Sequence, residues 1–270
     1  MNCVHCADVA TLLSSVAGST FSVEIVGSLI GAFAGAYAAT RFAEKKERNA
    51  LLVARLEQAN LCLSLCAASL NSAFTYKRDV VKDTFDRYID DRVSFEAFLK
   101  SKLLGDFYFH VDFREFPEIS LVYERLVEAV LAFNAASSEC IHASMTLHEN
   151  VATASQSVRS YRQALADLQE EFKALEYREQ AYTYFGIENK GKVDRRVFDP
   201  LTDLKYKCDA IIYLSFFIAE SVLPIARRLD REIGTNSPGV RSFNLSHIRN
   251  HELFPDVSDF TEWESFRPAS

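Results

Sequence analysis

Glycine and proline are scarce: nine and six in 270 residues, with four of the glycines in the first 35. Neither residue interrupts 36–104 or 118–185. An all-β sandwich or barrel needs turn residues roughly every 8–12 positions, so these stretches exclude one and point to long helices. Lysine and arginine are absent before Arg41, although the chain holds 30 of them. No G-x-G-x-x-G loop and no Walker lysine occur, which removes the usual phosphate cradles. From Arg41 onward 30 basic residues meet 35 acidic ones, a net charge of −5. That balance argues against a general nucleic-acid binder, which needs a basic face. The six cysteines show no disulfide framework. Cys3-x-x-Cys6 encloses His5, but no second pair follows to complete the four ligands of a zinc site.

What the sequence does have is an apolar run, Phe21–Phe42, uncharged from Ile25 to Thr40. Its length as a helix is about 33 Å, enough to cross a bilayer core. Gly27, Gly31 and Gly35 recur every four residues and share one helix face, a spacing that lets helix backbones approach closely in lipid. Glu24 falls on the same face, where a carboxylate would line an ion or proton path if several copies converged, or reach water at the outer interface. The basic residues that begin at Arg41 place the N-terminus outside and the remainder in the cytoplasm of a bacterial-type inner membrane. A cleaved signal peptide would carry a positive stretch before the run, and there is none.

After the anchor the helix is expected to continue. Leu52, Leu56, Ala59, Leu63, Cys66, Leu70 and Ala73 follow the alternating four-three spacing of a coiled-coil seam, and the pattern loosens beyond Tyr76. Phe107, Phe109, Val111 and Phe113 alternate, predicting a short extended aromatic segment near 106–116 that packs over the end of a bundle. Pro117 suits the first turn of a further helix. From Ile119 to Tyr182 the four-three pattern returns, with Ser137 and Ser144 as polar seam positions where the helix could bend. The similar lengths of 41–104 and 118–185 favour one long helix returning beside the first; two shorter helices and a four-helix bundle are the other solution. A connection with Gly186, Gly191 and Pro200 carries Lys190, Lys192, Arg195 and Arg196, candidates for lipid or phosphate contact. Ala210–Ala226 is apolar apart from Ser215, Glu220 and Ser221 and is read as a buried bundle helix rather than a second span.

The expected protein is therefore all-α: an extracytoplasmic tail (1–20), a transmembrane helix (21–42), a cytoplasmic bundle (43–234) and a C-terminal tail (235–270). No catalytic constellation emerges. Glu139-x-x-His142 is half of a di-iron bundle motif, and His247 and His251 share a helix face with only Glu252 as a close third ligand, so both are weak metal candidates. No cofactor is expected. The partners expected are the bilayer, further copies of the chain and an undetermined cytoplasmic protein. The functional expectation is a membrane-anchored oligomeric scaffold or effector; the rival is a tethered enzyme or a nucleotide- or metal-binding sensor.

Overall fold

The computed structural model describes residues 20–101, 107–111, 113, 116–119 and 123–266, with side chains of the first helix from Ser28 onward. The chain divides into two compact units, Met1–Ala54 and Arg55–Ser270. Regular structure is helical, with no strand among the described residues. Two helices are long and apolar enough to cross a membrane.

Helix α1 (Thr20–Tyr76) contains the whole apolar run and the seam that follows it. In the first unit every described side chain from Ser28 to Leu51 is exposed. Further along, Leu52, Leu56, Ala59, Leu63, Cys66, Leu70 and Ala73 are all buried, so the four-three spacing marks the core-facing side. A π-helical turn, Lys77–Lys82, carries the chain directly into α2 (Asp83–Ser101). The seam spacing loosens at this point because a π-turn inserts a residue and shifts the face presented to the core.

The second unit is built on the packing of α4 (Ser138–Glu171) against α6 (Phe198–Ile233). Helix α3 (Tyr123–Ala132) lies on α4, and α5 (Tyr177–Phe185) lies against α2. The single long helix favoured for Ile119–Tyr182 is not formed. Phe133–Ser137 and Phe172–Glu176 interrupt it, and Pro117 lies in an irregular segment ahead of α3. The first interruption follows from Ser137, whose side chain accepts the Cys140 N–H at 3.2 Å and so caps α4. Glu139 in that first turn is held below the usual carboxylate range by a backbone hydrogen bond and by the Ser137 and Ser138 hydroxyls.

Helix α6 is the apolar centre. Residues Ile211–Ala219 are buried without exception, and 67% of its most apolar window is inside the unit. It runs through Pro224 without ending. Described residues of the aromatic segment pack as expected over helix ends: Phe107 lies 5.0 Å from Phe95, and Phe109 lies 5.1 Å from Phe185. The segment after α6 is a strap with two short helices, α7 (Leu245–Arg249) and α8 (Thr261–Glu264). Phe260 stacks on Tyr213 at 4.2 Å, Phe254 meets Phe216 at 5.1 Å, and Trp263 meets Phe217 at 5.6 Å.

Candidate functional site

Two features stand out as candidates, one in each unit. In the first, Leu29, Ile30, Phe33, Tyr37 and Phe42 are 51–72% exposed. A Cβ added at Gly31 or Gly35 would meet nothing within 4 Å. Apolar surface of this extent needs a covering partner, since soluble monomers rarely present it to water. Gly27 and Glu24 lie in the same helix, but their side-chain surroundings fall outside the described residues, as do Cys3, His5 and Cys6.

The second is an open groove of about 1450 Å³ between the C-terminal half of α4, helix α5 and the 187–197 loop. The loop is rigid by construction. Gly186 ends α5 in the left-handed region (φ 61°), with the Ile187 N–H donating to the Tyr182 carbonyl at 3.1 Å, which closes the helix with a Schellman cap. Asn189 and Lys192 exchange two backbone hydrogen bonds of 2.9 and 3.0 Å across Lys190 (φ 52°) and Gly191 (φ 78°). Two consecutive positive φ values make this a type I′ turn.

The four basic candidates gather on this groove, and two of them are already paired with carboxylates. The Arg196 guanidinium is consumed by carboxylates: its Nη atoms donate to both Glu171 oxygens at 2.8 and 2.7 Å, and its Nε donates to Asp194 at 2.9 Å. Lys190 pairs with Glu179 at 3.3 Å. Lys192 and Arg195 are exposed and make no ion pair among the described residues. Five basic and five acidic side chains line the groove. The N-terminus of α6 adds little positive potential, because Asp199 N–H already donates to Arg195 O at 3.0 Å and Pro200 has no donor. The carboxylates that neutralise this loop are Asp194 within it and Glu171 from α4. The first is visible in the sequence as Asp194-x-Arg196; the second requires the fold.

Elsewhere one histidine serves packing. His251 stacks on Phe74 at 4.3 Å, and its Nδ1 accepts the Leu253 N–H at 3.2 Å. His247 is exposed, and His142 lies 5.1 Å from Trp263. No group of three metal-binding side chains occurs among the described residues. The most buried ion pair among the described residues joins positions far apart in the sequence: Lys77, at the start of the π-turn, donates to Asp209 of α6 at 2.5 Å and to the Leu253 carbonyl of the strap at 2.8 Å. No protein-family model, no curated protein and no solved structure matches the chain.

Proposed function

We propose that this chain is a membrane-anchored scaffold or effector. The helix Phe21–Phe42 inserts in the bilayer with its N-terminus outside, and copies associate through the Gly27/Gly31/Gly35 face. The following helical unit works in the cytoplasm. The observation that carries the reading is the complete exposure of an apolar, glycine-striped helix from Ser28 to Phe42. Lipid would cover its large side chains, and a second helix would cover its glycines.

The groove supports a protein partner for the cytoplasmic unit. Small-molecule sites run from roughly 300 to 1,000 Å³ and are mostly apolar. This groove is larger and carries both signs of charge, which suits a polypeptide segment. In the effector form, partner binding changes how the spans pack, and Glu24 lines a path at their centre.

The test is the mass of the detergent-solubilised protein with and without residues 1–42. A discrete oligomer lost on truncation supports the reading and makes Glu24→Gln the variant for conductance measurements. A monomer in both forms removes self-association and the path with it, leaving a tethered binding module.

A further inference from the structure

We infer that Tyr37 and Arg41 form a binding site for phospholipid phosphate that fixes the depth of the anchor in the bilayer. The inference rests on the membrane reading above and adds the ligand and the residues that hold it.

Leu29, Phe33, Tyr37, Arg41 and Lys45 follow one another at intervals of four and make a stripe that winds about 40° further around α1 at each step. Its chemistry changes in order: aliphatic, aromatic, aromatic with a hydroxyl, guanidinium, ammonium. That is the polarity gradient from hydrocarbon to headgroup, laid along the helix. Phe33 and Tyr37 each follow a glycine of the Gly31/Gly35 pair by two positions, about 200° around the helix. Phe33 and Tyr37 therefore face away from the glycines and are left for lipid when the glycines meet another helix.

The geometry at the end of the stripe is that of a held cation. Arg41 Nε donates to the Tyr37 hydroxyl at 3.0 Å, and the guanidinium carbon lies 5.3 Å from the centre of the Tyr37 ring. Tyr37 is 63% exposed and the Arg41 side chain 67%. Arg41 Nη1 also makes a long, exposed ion pair with Glu44 at 3.9 Å. A phosphate displaces that weak pair, because guanidinium binds phosphate through paired N–H donors. Thr40 does not compete for it, because its hydroxyl donates to the Ala36 carbonyl at 2.9 Å within the helix. Counting back from Arg41, twenty helical residues reach Phe21, about 30 Å and one hydrocarbon thickness. An amphipathic ring with a cation one turn beyond it is the combination that settles at the membrane–water boundary.

The next cation on the stripe is Lys45. Without Arg41, the helix is free to slide about one turn, ~6 Å, until Lys45 reaches the phosphates. The experiment uses the full-length protein in phosphatidylcholine vesicles, with Phe42→Trp, one residue beyond Arg41, as a depth probe and spin-labelled lipids carrying the quencher either near the headgroup or near the chain end. Trp263, the one native tryptophan, is 9% exposed and is subtracted using the unsubstituted protein. The expected result is stronger quenching by the shallow label, and a shift of the probe toward the bilayer centre by about one turn, ~6 Å, when Arg41→Gln is added. Arg41→Lys should restore most of the original depth. An unchanged depth in Arg41→Gln overturns the phosphate site while leaving the membrane anchor standing. Absence of quenching by either label overturns both, because the helix would then not enter the bilayer.

Discussion

Lys77 and Asp209 show how much one pair can hold. Their side chains are 14% and 12% exposed, and the ammonium also donates to the Leu253 carbonyl, so one nitrogen ties the π-turn, α6 and the strap together. Removing one partner of such a pair leaves a charge without compensation in a low-dielectric site, at a cost of about 3–5 kcal/mol. Lys77→Met should therefore lower the stability of the helical unit by that amount in denaturant titration. Lys77→Met combined with Asp209→Leu should recover much of the loss, because it leaves no buried charge unpaired. Gly186 makes the opposite case, a residue needed for what it lacks. At φ 61° a Cβ would sit 2.6 Å from the Asp194 carbonyl oxygen, so a substitution has both backbone strain and a steric clash against the loop. Gly186→Ala should cost about 1–3 kcal/mol, read as a lowered Tm.

At the scale of the element, the 187–197 loop is held to α4 by Arg196, and that link is pH-dependent with a definite sign. Hydrogen bonds from Arg196 are the main cause that holds Glu171 below its usual carboxylate range. At Asp194 desolvation pushes upward, but the side-chain and backbone hydrogen bonds from Arg196 outweigh it and the net shift is downward. Carboxylates depressed in the folded state bind fewer protons than in the unfolded chain. Their contribution is complete above the unfolded values near 4 and fades as pH falls through the folded ones. Arg196→Gln should thus lower Tm most at neutral pH, with the difference from the unsubstituted protein shrinking below the carboxylate range. A constant offset across the whole range would show that the loss comes from packing rather than charge. Arg196 also illustrates the limit of reading by composition. Lys190, Lys192, Arg195 and Arg196 look like a basic cluster because they are close in sequence, yet two of them are paired with acids that arrive from α5 and α4, Lys190 with Glu179 and Arg196 with Glu171. The seams were legible for the opposite reason: burial of Leu52 through Ala73, and of Cys140 through Leu168 in α4, depends on periodicity within one helix. Breaks were harder to place. Ser137 was visible as a polar interruption, but its capping role depends on a backbone geometry that a four-three pattern does not report. The turn at Phe172–Glu176 contains neither glycine nor proline, so nothing local announced it.

At the scale of the whole molecule, the two units place opposite demands on their helices. In the first, Gly31 and Gly35 border open space, so bulk added there costs the isolated chain no contact it possesses. Gly31→Leu should leave the melting of the helical unit unchanged while dispersing an oligomer built through that face; a mass unaltered in detergent would show that copies do not meet there. In the second unit the core must open as one body, and its cysteines report when it does. Cys62 and Cys66 on α1, Cys140 on α4 and Cys208 on α6 are all buried free thiols. Burial raises Cys62 to about 11 and Cys140 and Cys208 to about 12, and pushes Cys66 well above the ordinary value. The reactive species is the thiolate, so these side chains are withheld twice, by access and by protonation. At neutral pH the four should resist a maleimide in the native state and become modified together at the rate of global unfolding, as mapped by mass spectrometry of the digested protein. Early modification of Cys208 alone would mean that α6 opens to solvent without the bundle unfolding as a whole. The helical unit would then be two cooperative bodies rather than one.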